Sequence, residues 1–242
     1  MIAKAIDRIL QLSEPVIKDI NGSTYTDKEL FRMDTDLRAS SIEVKTLTGL
    51  VEYIFANREA FNGWRGYFLH ITDERTVYLR SELDNDRKRE TIMIAAAERL
   101  NLPIGRWIEQ EPFLIGVQTN FVADEKTALA DILRFAGTVK DGTITEYGDD
   151  GVSQKATIKR GVTSLTEKKV PSPCILRPYR TFHEVEQPVS KFIFRMKSGR
   201  EAPECALFEA DGGAWKYQAM ANIRDYLIKA VKVAELDIPI IA

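Results

Sequence analysis

The sequence is short of the side chains that build metal sites and disulfide scaffolds. Its 242 residues include two histidines, His70 and His183, and two cysteines, Cys174 and Cys205. Two cysteines cannot supply a four-ligand zinc site, and widely spaced lone thiols are typical of a reducing compartment. We therefore predict no metal, no cofactor and no disulfide framework.

Long apolar runs are missing as well. No window approaches the roughly 20 consecutive apolar residues that are needed to cross a bilayer. Near the N-terminus, Lys4, Asp7 and Arg8 interrupt the apolar pattern, whereas a secretory signal requires an unbroken apolar region. The sequence therefore predicts a soluble, intracellular protein with no membrane partner.

The chain also lacks a large net charge. Lysine and arginine together number 34 against 36 acidic residues, which gives a formal net charge of -2. A protein that coats duplex DNA usually carries a basic excess, because it neutralises phosphates. The charge balance argues against that role but leaves room for a local basic strip.

What the sequence does contain is a mixture of helical and extended patterns, which predicts an α+β fold of mostly antiparallel sheets with several packed helices. Strands are predicted at 41–46, 65–72, 75–83 and 106–122 (interrupted near Pro112), on both sides of a turn at 148–151, and around Ile175, Ile193 and Ala206. Helices are predicted at 2–12, 46–61, 124–137 and 214–234. Residues 90–100 combine both patterns, so their structure is left undecided.

Individual residues mark several helix boundaries and faces. Thr46 is the expected N-cap of the helix at 46–61, while Asp124 and Gly137 are the expected start and stop of the helix at 124–137. The last helix is expected to bury Trp215, Ala219, Ile223, Leu227 and Ile228. The apolar tail at 235–242 is expected to pair as a strand or to dock on a partner.

The N-terminal helix suggests a separate arm. Its apolar residues recur at helical spacing, so it must cover an apolar surface of its own domain or of a neighbouring subunit. We expect residues 1–40 to form an N-terminal helical arm and residues 41–242 to form a single α+β domain. If that domain is subdivided, the boundary is expected near 138–142.

Catalytic signatures are not evident. The sequence has no Walker-type phosphate loop, no G-x-G-x-x-G after a strand and no G-x-S-x-G nucleophile elbow. The remaining catalytic hypothesis uses His183 with Glu184 or Glu186 as a general base, and its alternative is a solvated turn. We do not predict an enzyme.

Aromatic residues and arginines are interleaved at three places, a pattern typical of proteins that bind single-stranded nucleic acid. The candidate binding residues are Trp64 and Arg65, Arg106 and Trp107, and Arg177, Tyr179 and Arg180. On a strand, Arg177 and Tyr179 would share one face and Arg180 would lie on the other. The alternative is structural: the rings fill the core and the arginines pair with Glu184 and Glu186.

A set of longer motifs carries a family resemblance. The segments "VKTLTGLVEYI", "QEPFLIGVQTNFV", "DDGVSQ", "VPSPCILRPYRTFHEVEQP" and "ALFEADGGAWK" occur in this order. From about Ser41 to the last helix, the chain resembles the YfdQ-like family of phage and prophage proteins. The resemblance implies a phage-encoded, non-virion protein that accompanies early genes of DNA metabolism, in the cytoplasm of a bacterial host. It implies no activity for particular residues.

These observations lead to one main functional hypothesis and two alternatives. The main hypothesis is a non-catalytic binding protein that works as a homo-oligomer, with single-stranded DNA as its ligand. The first alternative is an anti-defence protein that sequesters a host protein or a nucleotide signal. The second is a capsid-like shell or assembly protein, for which the N-terminal arm and the hairpin from Tyr67 to Leu83 would be suitable parts.

Overall fold

The structure, a computed structural model, describes residues 5–6, 8, 15–28, 39–61, 66–84, 87–138, 144–149, 154–160, 164–169, 172–200 and 202–242. The strands are β1 (Ile17–Ile20), β2 (Ser23–Thr26), β3 (Ile42–Val44), β4 (Tyr67–Asp73), β5 (Thr76–Ser81), β6 (Thr91–Ala96), β7 (Ile108–Glu109), β8 (Ile144–Asp149), β9 (Gln154–Arg160), β10 (Ser164–Lys169), β11 (Cys174–Leu176), β12 (Ser190–Lys197), β13 (Glu204–Glu209) and β14 (Ile240–Ile241). The helices are α1 (Leu47–Ala56), α2 (Arg58–Phe61), α3 (Gln110–Asn120), α4 (Leu129–Thr138) and α5 (Ala214–Val233). The α+β prediction is confirmed.

The chain divides into two compact units, Met1–Ala39 and Ser40–Ala242. In the first unit, β1 and β2 form an antiparallel hairpin around Asn21 and Gly22, which both have positive φ angles, 52° and 79°. Asn-Gly is the residue pair that this tight turn favours, because both positions must adopt left-handed backbone. The helix expected at 2–12 lies mostly outside the described residues.

A five-stranded mixed sheet, in the order β14-β4-β5-β6-β3, organises one half of the second unit. β4, β5 and β6 are antiparallel neighbours, while β3 and β14 pair in parallel at the two edges. The hairpin prediction for β4 and β5 is confirmed, and so is the prediction that the C-terminal tail pairs as a strand. The undecided segment at 90–100 forms β6, whose alternate residues Met93 and Ala95 are buried in this sheet.

Helices α1 and α5 cover this sheet and share its hydrophobic core. Thr46 caps α1 as predicted, since its hydroxyl accepts the N–H of Gly49 at 3.1 Å. Along α5 the buried residues are Trp215, Ala219, Ile223, Leu227 and Val231. The predicted burial of Ile228 is wrong: its side chain is 44% exposed. The buried stripe advances by four residues, so Val231 follows Leu227 and the adjacent position turns about 100° away.

A four-stranded antiparallel sheet, in the order β11-β12-β13-β7, shares a second core with α3 and α4. The strand predicted over 106–122 is wrong, because β7 spans two residues and α3 follows directly. Pro112 is the third residue of α3, where a backbone N–H has no partner within the helix, so proline does not disturb it. Phe113, Val117 and Phe121 then lie in the core at helical spacing.

The start predicted for α4 is five residues too early. Asp124 forms a turn before the helix, in which its carboxylate accepts the N–H of Lys126 at 2.9 Å. The helix begins at Leu129 and continues one residue past Gly137. The other predicted hairpin, around 148–151, is confirmed by the antiparallel pairing of β8 with β9, and β10 completes a three-stranded sheet.

The second unit contains two hydrophobic cores, and each combines elements from both sides of residues 138–142. The first core combines Phe113 from α3 with Phe194 from β12, and the second combines Leu69 from β4 with Ile223 from α5. Each core therefore draws on residues from both sides of that segment. Among the described residues, no helix is long and apolar enough to traverse a bilayer.

Candidate functional site

A cleft of about 340 Å³ lies between the β4–β5 turn and the first turn of α5. Its charged lining residues are Arg75, Arg99, Arg180, Lys216, Glu74 and Glu209. Four cations against two carboxylates leave an excess of two positive charges in a chain whose formal net charge is -2. We call this surface the cationic cleft.

Separate segments of the chain build the cationic cleft. The β4–β5 turn supplies Glu74 and Arg75, and the connection from β6 to β7 supplies Arg99 with the apolar wall at 100–104. The connection from β11 to β12 supplies Arg180, and α5 supplies Trp215 and Lys216. The site therefore depends on the tertiary fold and not on one local motif.

Arg180 is the central residue of the cleft. Its side chain is 5% exposed, and its Nη1 lies 2.5 Å from Oε1 of Glu209. Its Nη2 donates a hydrogen bond to Oγ of Ser190. The central carbon of its guanidinium lies 3.6 Å from the centre of the Trp215 ring, in cation–π geometry. An ion pair, a hydrogen bond and a stacking contact thus fix the orientation of the guanidinium.

Burial affects the ionisation of Arg180. Desolvation lowers the pKa of Arg180 to about 10, while the negative charges of Glu209 and Asp211 oppose that shift. The side chain is therefore still a cation at neutral pH. A buried cation that keeps its charge is suited to binding an anion, because the low-dielectric surroundings strengthen the attraction.

Buried Gln187 holds the backbone around Arg180. Its Oε1 accepts the N–H groups of Arg180 at 3.1 Å and Thr181 at 3.3 Å. Its Nε2 donates to the carbonyl groups of Phe182 at 2.8 Å and Val185 at 3.3 Å. In addition, the Thr181 hydroxyl donates to the carbonyl of Glu74 at 2.5 Å. These bonds tie the Arg180 loop to the β4–β5 turn on the other side of the cleft.

Several donors at the cleft are buried without an acceptor. Among the described residues, Nε of Arg75, Nε of Arg180 and Nε1 of Trp215 are buried and have no hydrogen-bond partner. Unpaired buried donors are uncommon, because each costs about 1–3 kcal/mol of desolvation free energy. Arg75, Arg180 and Trp215 contribute three of the five such donors among the described residues, and the other two, Nε of Arg80 and Nε of Arg177, lie outside the cleft.

The strand predicted around Ile175 is confirmed as β11, but it does not extend over residues 177–182. β11 ends at Leu176, and Pro178 makes an isolated bridge with Phe121. The strand faces considered for Arg177, Tyr179 and Arg180 therefore do not apply, because the backbone bonds of this segment go to other partners: the N–H of Tyr179 donates to the carbonyl of Asn120 at 2.9 Å.

The three candidate residues of this segment therefore have separate surroundings. Arg177 pairs with Asp124 at 3.3 Å and with Glu186 at 3.7 Å. Tyr179 packs its ring against His183, with 5.1 Å between the ring centres. Only Arg180 lines the cationic cleft.

The other predicted binding residues lie elsewhere. Trp107 is 39% exposed and packs edge-on against Phe208, and Nζ of Lys197 lies 4.4 Å from its ring centre. Phe208 alternates with buried Leu207 along β13, so this cluster lies on the outer face of the four-stranded sheet. Arg106 is exposed next to it. Trp64 and Arg65 lie outside the described residues.

His183 and its neighbouring glutamates are directed to different partners. The carboxylate of Glu184 accepts the backbone N–H of Thr48 at 3.0 Å and its hydroxyl at 3.2 Å, so it caps the start of α1. Glu186 pairs with Arg177. Within the described ranges, no cluster of three or more histidine, cysteine, aspartate or glutamate side chains could hold a metal ion.

Sequence reasoning found Arg180 but missed most of the cationic cleft. Arg75, Arg99 and Lys216 are isolated basic residues in a turn, a connection and a helix start, without a common spacing. Gln187 gave no signal either, because a single glutamine before a proline reads as a loop residue. Only the tertiary fold brings these residues together.

Comparisons with protein-family models, curated proteins and solved structures find no match for this chain.

Proposed function

We propose that this protein is a non-catalytic binding protein whose cationic cleft takes a small phosphorylated ligand of the nucleotide class. The observation that carries the proposal is Arg180: a buried, fixed guanidinium in the wall of a cleft that has an excess of positive charge. Guanidinium groups match phosphate oxygens in geometry and charge, and such bonds are stronger than neutral ones.

The other lining residues of the cleft favour an organic ligand over an inorganic anion. Leu100, Leu102 and Ile104 provide an apolar wall, against which a flat organic group can pack. Glu74 and Glu209 are hydrogen-bond acceptors for N–H and O–H groups of a base or a ribose. A volume of about 340 Å³ is near the lower end of ligand pockets and favours a single nucleotide over a strand.

In the phage context that the resemblance implies, this function amounts to sequestration of a nucleotide signal of the host. The surroundings of Arg177 and Arg180 support this version over a single-stranded DNA strip. Arg177 lies outside the cationic cleft and pairs with Asp124 and Glu186, so the two guanidinium groups do not present one continuous basic surface.

Single-stranded DNA is a second candidate ligand, at a different place. Trp107 offers a part-exposed ring on the outer face of the four-stranded sheet, with Nζ of Lys197 4.4 Å from its centre and exposed Arg106 as the preceding residue. Stacking of a base on such a ring is the usual mode of sequence-independent strand binding. A dT12 oligonucleotide whose affinity falls at least tenfold with Trp107→Ala would support this candidate, and an unchanged affinity would remove it.

The nucleotide proposal is tested by calorimetric titration of the full chain with AMP, ATP and inorganic phosphate. Arg99 and Lys216 are exposed, so the Arg99→Ala/Lys216→Ala variant removes two cleft charges without opening the core. We expect AMP or ATP to bind, and the double variant to weaken that binding at least tenfold. The matched control is Arg224→Ala/Lys126→Ala, which removes two exposed charges outside the cleft. Absence of binding to every nucleotide, or an equal loss in the control, would contradict the proposal.

A further inference from the structure

A second concave surface, the α1–α5 groove, lies along the last turns of α5. It has a volume of about 490 Å³ and is lined by apolar side chains that include Val51, Phe55, Ala230 and Val233. Helix geometry places Lys229 about 21 Å along α5 from Trp215. The groove is therefore distinct from the cationic cleft, and an inference about it does not depend on the proposed function.

The groove leaves apolar side chains exposed to solvent. A partner that covered them would stabilise the protein. The Phe55 ring is 51% exposed and the Val233 side chain is 83% exposed. Single exposed apolar side chains are common, but two large ones in the lining of one apolar groove indicate a surface that meets another protein.

The charged residues at the groove indicate that this other protein is a second copy of the chain. α1 supplies one exposed acid, Glu52, and α5 supplies one exposed base, Lys229. A two-fold axis through the groove would lay α1 of one copy on α5 of the other. Each Glu52 would then meet the Lys229 of the second copy, and the pair would form twice. The surface is therefore self-complementary, which is the requirement for a closed dimer.

The C-terminal tail is not available for the docking role that its sequence suggested. β14 pairs with β4 of the same chain, and the N–H of Leu69 donates to the carbonyl of Pro239 at 2.9 Å. The tail thus completes its own sheet. The α1–α5 groove is a surface that carries exposed apolar residues together with one acid and one base.

We propose that the α1–α5 groove is the interface between two copies of this chain, with α1 of each copy packed on α5 of the other. The apolar lining supplies the burial, and the paired Glu52 and Lys229 set the register.

The test is the mass of the full chain in solution, measured by light scattering after size exclusion and by sedimentation. We expect the wild type to be a dimer and Val233→Glu to be a monomer, because two carboxylates would be forced into the apolar contact. Val233 is largely exposed, so this change does not disturb the core. The matched control is Tyr217→Glu, a similar change at an 80% exposed residue at the other end of α5, which should stay dimeric.

Charge exchange tests the register. Glu52→Lys and Lys229→Glu should each weaken the dimer at least tenfold, and the double variant should restore it because the complementary pairs are regenerated with reversed sign. A monomeric wild type, a dimeric Val233→Glu variant, or a double variant no stronger than the single ones would overturn the proposal. Nucleotide titration of Val233→Glu separates the two sites, since its cationic cleft is unchanged.

Discussion

The guanidinium of Arg180 stacks on the indole of Trp215, with 3.6 Å between the central carbon of the one and the ring centre of the other. The contact joins the β11–β12 connection to the first turn of the last helix. Because Glu209 and Ser190 fix the same guanidinium from the side, the cationic cleft has a preformed wall. A preformed wall lowers the ordering cost of binding, since the cation already has its bound orientation.

Arg180→Ala should destabilise the protein by about 3 kcal/mol, because a carboxylate and a hydroxyl lose their buried partner. Arg180→Lys should recover only part of this loss, since an ammonium cannot form the fork that reaches Glu209 and Ser190 together. Urea unfolding of the three proteins gives the comparison. If Arg180→Lys has the same free energy of unfolding as the wild type, the geometry of the guanidinium does not contribute to stability.

Gln187→Ala should destabilise the protein by about 3 kcal/mol, since two buried N–H groups and two carbonyl groups lose their partner. The same change should weaken nucleotide binding, because the Arg180 loop is no longer fixed. Thermal unfolding and titration measure the two effects. Gln218→Ala, at an exposed glutamine of α5, is the control and should change neither. Equal behaviour of the two variants would refute the role of Gln187.

Glu184→Ala should cost about 1 kcal/mol of unfolding free energy, because its carboxylate caps the start of α1 from a distant loop. Glu186→Ala should cost less than about 0.5 kcal/mol, since the Glu186 side chain is 75% exposed and its ion pair with Arg177 is long, at 3.7 Å. Urea unfolding distinguishes the two. A larger effect at Glu186 would mean that the cap is not the stabilising contact.

Both thiols should resist alkylation until the protein unfolds. Burial raises the pKa of Cys174 to about 11 and the pKa of Cys205 to about 12, so almost no thiolate exists at pH 8 and the reagent cannot reach the sulfur. Iodoacetamide labelling followed by mass measurement should give no adduct on the native chain and two in urea. One adduct on the native chain would show that a core strand is accessible.

The sequence predicted the parts of the fold in which local signals agree with the tertiary structure. Thr46 with the apolar stripe after it predicted α1, and alternation on both sides of Asp73 and Glu74 predicted the β4–β5 hairpin. The strand prediction failed at α3, because the β-branched and aromatic residues of 106–122 read as extended structure. Packing of Phe113 and Val117 into the core outweighs that local preference.

The cationic cleft could not be predicted in the same way. Glu74 and Glu209 are 135 positions apart in the sequence, and no periodic pattern connects them. Arg180 was a candidate because of its aromatic neighbours in sequence, but its aromatic contacts are with Trp215 and Phe192, and the sequence assigned Trp215 to the helix core alone. Only the fold shows which basic residues share a cavity and which are paired elsewhere.

Native mass spectrometry of gently purified protein, before and after incubation with AMP and ATP, tests the central claim most directly. We predict a species that carries the mass of one nucleotide per chain, and its loss in the Arg99→Ala/Lys216→Ala variant. A wild-type chain that stays bare with both nucleotides, or a variant that keeps the added mass, would contradict the assignment of the cationic cleft as a nucleotide site.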